Sequence, residues 1–268
     1  MKRYPKVIDA HQSIEFILQN KCSVSRYGDG EFLLMEGEAI GFQKYDKELS
    51  TRLKQILCHP IKNHIIGLPD VFKTRNKLKD SAKYFWKKHL DLHLYKWNDY
   101  VNKKQLFIDT NISRFYMDLA DKSYSKRTLS LLKSIWDNQE LLIVEGRSSR
   151  LGFYNDLFGN SKSVKRILCP AENAFSNYEE IYSSVLNHHN GELVLIALGP
   201  TATVLAYDLS KSNIWAIDLG HIDIEYEWFK MGATEKVSIS NRYVNETNQR
   251  HIEEISDQKF LNQVIDII

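Results

Sequence analysis

Proline is scarce in this chain, with five in 268 residues, and glycine is modest at twelve. Long disordered linkers are thereby excluded. The three cysteines, Cys22, Cys58 and Cys169, lie far apart and form no CxxC pair. An odd count of this kind reads as reduced, buried thiols in a cytoplasmic protein. No apolar stretch reaches the ~20 residues of a membrane-spanning helix. The basic start, MKRYPKVIDAHQSIEF, alternates apolar with polar residues and lacks the apolar segment of a signal peptide. Work at a membrane would therefore be done from its surface, or on something made there. A net charge of +2 leaves no footprint for nucleic acid. Internal repeats, low-complexity tracts and a domain boundary are also missing, so one domain over residues 1–268 is expected.

What is present suits an ordinary soluble globule, 43% hydrophobic and 26% charged. The second half contains short, nearly continuous apolar runs that end in Gly or Pro: ELLIVEG (140–146), VKRILCP (164–170), ELVLIALGP (192–200) and NIWAIDLG (213–220). Such runs suit parallel strands covered on both faces. Helical spacing appears between them, at 171–189 and 201–211. This is the βαβ rhythm of an α/β fold. The first half predicts helices over 13–20 and 47–57, strands over 64–69 and 105–110, and a basic, aromatic helix over 77–97. That last stretch could meet an anionic lipid or a membrane surface, although its aromatics equally suit a core.

Four stretches carry residues able to do chemistry. In SRYGDGEFLLMEGE (25–38), Asp29 and Glu31 are spaced to converge from an extended strand or a tight turn. Hard oxygen donors at one point suit Mg²⁺ or Mn²⁺. Gly28 and Gly30 would let the backbone approach a ligand, and Arg26 could neutralise a phosphate. Read alone, however, GDG favours a hairpin turn with solvated charges. In EGRSSRLGFYNDLF (145–158), a loop with Gly146, Ser148, Ser149 and Arg150 follows a buried-type strand, the place where α/β proteins bind ligands. Its arginines could grip phosphate, and Asn155 and Asp156 could meet a base or a sugar edge; an ordinary loop explains it equally well. In ALGPTATVLAYDL (197–209), Gly199 closes a strand and Thr201 sits where a helix cap belongs. The positive end of such a helix favours an anion, and plain capping accounts for the same residues. In IDLGHIDIEYEWF (217–229), Asp218, His221, Asp223 and Glu225 crowd the end of a strand, and alternation places the last three on one face of an extended segment, where they could supply a general base or further ligands; the plain alternative is an exposed edge strand with Ile222, Ile224 and Tyr226 facing inward.

RYGDGE, EGRSSRLGFYNDLF, RILCPAENAF, LIALGPTATVLAYDL and AIDLGHIDIEYEW together resemble the bacterial GT-D-fold glycosyltransferases, once a domain of unknown function. The pieces occur in the same order over residues 26 to 228. The resemblance implies a Rossmann-like, mostly parallel α/β sheet flanked by helices. It implies a nucleotide-sugar donor, a UDP-hexose with glucose as the leading hexose, and a glycan or glycolipid acceptor. It also implies Mn²⁺, or Mg²⁺, bound through an Asp-x-Glu motif that falls on Asp29 and Glu31, which reverses the turn-first reading of GDG. Donor binding is then expected of Arg26, Gly28, Gly146, Ser148, Ser149, Arg150, Asn155, Asp156, Gly199 and Thr201, and base catalysis of His221, Asp223 or Glu225. Surface polysaccharide or glycoprotein glycan synthesis, in the cytoplasm or at the inner face of the membrane, is the matching role. Two rivals use similar residues: a metal-dependent phosphohydrolase or nucleotidyltransferase, and a non-catalytic nucleotide-sugar-binding module.

Overall fold

The structure, a computed structural model, describes residues 4–239, 242 and 256–268. In chain order its elements are β1 (Lys6–Val7), α1 (Ala10–Asn20), β2 (Ser23–Arg26), α2 (Asp29–Met35), α3 (Lys47–Cys58), β3 (His64–Leu68), α4 (Asp80–Tyr100) and β4 (Leu106–Asp109). There follow α5 (Ser125–Ile135), β5 (Glu140–Gly146), β6 (Ser163–Cys169), α6 (Tyr178–His188), β7 (Leu193–Ala197), α7 (Pro200–Lys211), β8 (Ala216–Asp218), α8 (Ile222–Met231), α9 (Gln258–Leu261) and β9 (Val264–Ile267). The strands form one nine-stranded sheet in the order β1-β4-β3-β2-β8-β7-β5-β6-β9. Every pairing is parallel.

The apolar runs become strands because both faces of the sheet are covered. Successive side chains of β5 divide between two cores: Leu142 and Val144 face one, Leu141 and Ile143 the other. The first core is closed by α2, α3, α4, α6 and α7, through residues such as Phe32, Leu53, Trp97, Ile181 and Val204. The second is closed by α1, α5, α8 and the loop after β5, through Ile14, Leu132, Trp228 and Leu157.

These faces decide where a ligand can enter. The chain leaves β2 toward the first core, β8 toward the second, β7 toward the first and β5 toward the second. Adjacent strands that send their connections to opposite faces leave a crevice at their carboxyl ends.

Two expectations are corrected. Residues 222–231 are helical, not an extended edge. Their apolar residues fill two helical rows, Ile222/Tyr226/Phe229 and Ile224/Trp228, packed into or against the second core. A helix buried this widely mimics strand alternation. GDG is likewise not a hairpin turn but the start of α2: Gly28 is the N-cap, and Asp29 and Glu31 occupy the first turn, where acidic groups complement the helix dipole. Cys22 and Cys169 are buried as expected, whereas Cys58, at the end of α3, is exposed. Among the described residues no helix is long and apolar enough to cross a membrane.

Candidate functional site

Two adjoining cavities open at the carboxyl ends of these strands. The larger, about 690 Å³, is lined by Arg26 and Gly28–Glu31 after β2, by Thr110, Asn111 and Arg114 after β4, and by Asp218, Gly220 and His221 after β8. Lys79, Phe85 and Trp86 add a wall from α4 and its approach. The smaller, about 100 Å³, is lined by Gly146 and Ser149 after β5, Ala171 and Asn173 after β6, and His221 and Asp223 after β8. Phe42, Gly199, Gly220 and His221 belong to both.

Glycines make the close approaches possible. Gly220 has φ +48°, and a Cβ there would lie 2.1 Å from Arg26 Nη1. Gly199 has φ +53°, and its Cβ would lie 2.5 Å from the Phe42 ring. Both positions favour glycine in backbone conformation and in space. Gly199 is also the N-cap of α7, with Pro200 in the first turn, so the positive end of that helix faces the junction of the cavities.

Charge is concentrated on the larger cavity. Arg26 reaches from the end of β2: its Nε donates to the Thr110 carbonyl at 3.1 Å, and its Nη1 lies 3.6 Å from Asp218 Oδ1. Asp218, at the end of β8, also accepts from the Gly220 N–H. Burial pushes the Asp218 carboxyl up to about 6, against the pull of Arg26. Glu31 Oε2 accepts the Gly28 N–H at 2.8 Å. Loss of solvation, then the charge of Asp218, push the Glu31 carboxyl up to about 7. Asp29 lies on the same cavity wall.

The donor chemistry fits a hard divalent cation. It consists of carboxylate oxygens, two from one helical turn with Asp218 on the same cavity, and hard oxygen donors of this kind suit Mg²⁺ or Mn²⁺. Among the described residues no group of three His, Cys, Asp or Glu residues forms a ready-made metal site. Oxygens of a bound substrate and water would have to complete the coordination.

The other predicted site residues divide. Gly28, Gly146, Ser149 and Gly199 line the cavities, whereas Ser148, Arg150, Asn155, Asp156 and Thr201 do not. Arg150 is buried in a left-handed turn at φ +50°. Asn155 Nδ2 donates to Asp223 Oδ1 at 2.8 Å and to Glu227 Oε1 at 2.6 Å. Asp156 is exposed; its bonds from Lys230 and the Tyr226 hydroxyl hold its carboxyl down at about 2. Thr201 is fully buried behind the cavities, and its hydroxyl lacks a protein partner. The base candidates part as well. His221 caps α8 and faces both cavities. Asp223 reaches only the smaller one and is engaged by the Gly152 N–H, Asn155 and the buried guanidinium of Arg242. Glu225 faces neither: Oε2 accepts the Tyr116 and Met117 N–H groups at 3.0 and 2.9 Å. Asp218, at a strand end, was visible in the sequence as a polar group at the active edge. Thr110, Asn111 and Arg114 carried no such signal, and they arrive through the topology.

Comparison with known proteins agrees with the fold. The family model for the glycosyltransferase GT-D fold matches residues 24–247. A probable glycosyl transferase, Gly, of Streptococcus gordonii is 42% identical over an alignment that covers 98% of this chain and 39% of that protein. The glycosyltransferase GlyD of Streptococcus pneumoniae is 39% identical over 256 residues, 95% of this chain and 31% of that protein. The chain thus spans under two-fifths of the length of either curated relative. A solved structure described as a new glycosyltransferase (DUF1792) from Streptococcus sanguinis matches with TM-score 0.95 and 40% identity, over 99% of this chain and 100% of that one. Another, described as DUF1792 with a distinct glycosyltransferase fold, matches with TM-score 0.95 and 41% identity, over 98% of this chain and 96% of that one. The chain belongs to the GT-D-fold glycosyltransferase family.

Proposed function

We propose that this chain is a metal-dependent glycosyltransferase that moves a hexosyl group, glucose first among the hexoses, from a UDP-sugar to a glycan acceptor. The observation that carries the reading is the convergence of Asp29, Glu31, Asp218 and Arg26 on one cavity at the strand ends of a GT-D-family chain. Synthesis of a surface polysaccharide or a glycoprotein glycan is the matching role.

In sugar transfer a nucleoside diphosphate departs and negative charge grows on its phosphates. We assign Asp29 and Glu31 to hold Mn²⁺ or Mg²⁺, which when bound stabilises that charge as a Lewis acid. Arg26 adds a fixed positive charge on the same wall, and the N-terminus of α7 adds a partial one. Asp218 holds the Arg26 guanidinium in place. In an inverting reaction His221 takes the proton from the acceptor hydroxyl, since of the three candidates it alone lines both cavities. A retaining reaction would leave His221 without that task.

Thermal unfolding with UDP, with and without Mn²⁺, tests the reading. A Mn²⁺-dependent rise in midpoint is expected, because a ligand that binds only the folded state stabilises it by mass action, by about 2.7 kcal/mol at a hundredfold excess over Kd. Asp29→Ala should abolish that rise while the unliganded midpoint holds. An equal shift in the variant, or none with any nucleotide, would refute the site. Release of free phosphate from simple phosphoesters would favour hydrolase chemistry. UDP-sugar binding without turnover would favour a binding module.

A further inference from the structure

The larger cavity has a wall that the donor chemistry does not explain. Phe85 and Trp86, on α4, line it beside Lys79, Ser81 and Ala82. Phe85 is 46% exposed, and a large aromatic left in water at a cavity mouth marks a binding surface. The two rings meet as a corner, with centroids 5.4 Å apart and planes at 80°.

The corner is braced against the carboxylates. Phe85 and Trp86 lie 6.3 and 5.5 Å from the His89 ring. His89 in turn lies 5.3 Å from Phe32, the residue after Glu31. His89 is itself fixed, because Trp97 Nε1–H donates to its Nε2 at 3.0 Å. A stack of rings thus sets the distance between the aromatic corner and the helix that carries Asp29 and Glu31.

Resting on the transferase reading above, we propose that Phe85 and Trp86 are the acceptor platform, on which the apolar C–H face of a pyranose ring stacks. Its hydroxyls find partners on the same cavity at Ser81, Asn111 and Asp118. These polar neighbours favour a sugar over an acyl chain, which would leave them without partners. A membrane surface would instead meet Tyr84, Leu92 and Tyr95 of α4, which are 70%, 58% and 62% exposed and lie off the cavity. The buried Thr110 hydroxyl, also on the cavity wall, has no protein partner and marks the cavity as one built for a polar ligand.

The test pairs UDP affinity, measured by calorimetry with Mn²⁺, with acceptor kinetics. The donor is UDP-glucose, and the acceptors are p-nitrophenyl β-glucoside, β-galactoside and β-N-acetylglucosaminide. Trp86→Ala should raise the acceptor KM about tenfold and leave UDP Kd within about twofold; Phe85→Ala should raise it less, and Trp86→Phe should recover most of the loss. Phe85 is exposed enough that its variant stays folded whatever befalls Trp86→Ala. Unchanged acceptor KM in both alanine variants would overturn the proposal, as would a parallel loss of UDP affinity. A wild type that binds UDP but is saturated by none of the hexosides also overturns it and leaves the transferase reading standing. A wild type that binds no UDP removes both.

Discussion

Substituting alanine at Gly220 tests whether the Arg26 guanidinium sits where the site needs it. At φ +48° an alanine carries a left-handed strain of about 1–2 kcal/mol. Its Cβ would also lie 2.1 Å from Arg26 Nη1, so the guanidinium must retreat by about an ångström. That retreat strains the Nε bond to the Thr110 carbonyl, 3.1 Å, and the approach to Asp218, 3.6 Å. A hydrogen bond involving a charged group contributes about 1.5–3 kcal/mol, so Gly220→Ala should cost about 2.5–5 kcal/mol in all. Gly232→Ala is the control. It too has positive φ, +62°, but a Cβ there meets nothing within 4 Å, so it should cost only the backbone strain. Equilibrium urea unfolding measures both variants, and calorimetry with UDP and Mn²⁺ measures the site. The excess cost of Gly220→Ala should vanish in an Arg26→Ala background, and its UDP affinity should fall while that of Gly232→Ala holds. Equal costs for the two glycines, or a Gly220→Ala protein with wild-type UDP affinity, would refute the placement of Arg26.

Two further predictions concern the frame. Glu145 and Arg166 form a buried ion pair that also holds the Leu151 N–H and carbonyl; Arg166→Met should cost about 3–5 kcal/mol in urea unfolding, and adding Glu145→Gln should restore most of it. A double variant no more stable than the single one would contradict this. Ser25 donates to the Thr203 carbonyl, so His64 Nε2–H donates to Ser25, and its buried Nδ1 lacks a partner. Burial, aided by Lys211, lowers its pKa from 6.5 to about 3. Between those values the unfolded chain binds more protons than the folded one, so stability from this residue rises with pH, and is lost as pH falls, by up to about 1.4 kcal/mol per unit. The stability gap between wild type and His64→Gln should therefore narrow by up to about 2.7 kcal/mol from pH 6.5 to 4.5, and a constant gap would exclude the assignment.

The sequence made the frame legible where burial is continuous. β5, β7 and α7 are apolar enough to show their type without knowledge of their neighbours. α8 was not legible in this way, because burial of both its rows erased the 3.6-residue signal. The proposed metal pair was visible as Asp-x-Glu, but its setting was not: Gly-Asp-Gly opens a helix as well as it makes a turn, and the helix that begins at Asp29, with the Gly28 N–H donating to Glu31, distinguishes the two. Asn155 looked like a ligand-facing group, and Asp223 like an unengaged base, because their partners are remote in sequence. Each meets the other across 68 residues, and a single sequence cannot display a bond of that span. The same blindness hid Thr110 and Arg114, which reach the cavity because β4 and β2 both flank β3.

The burial of Glu31 near Asp218 gives the last and most direct prediction. Glu31 titrates in the folded chain near 7, raised from 4.5 by lost solvation and by Asp218. A raised carboxyl pKa means that the folded state binds more protons than the unfolded one between those values. Stability therefore falls as pH rises from 4.5 to 7 and stays lowered above it. Glu31→Gln keeps a carbonyl oxygen for the Gly28 N–H and removes the charge. In EDTA the variant should be more stable than wild type at pH 8, with the advantage shrinking toward pH 5, as followed by urea unfolding at each pH. The same variant should lose the Mn²⁺-dependent shift with UDP. A residue whose charge destabilises the empty protein but is required by the loaded one is held there by its ligand, not by the fold. If Glu31→Gln is destabilised equally at pH 5 and pH 8, Glu31 is a helix-capping residue and its charge belongs to the fold.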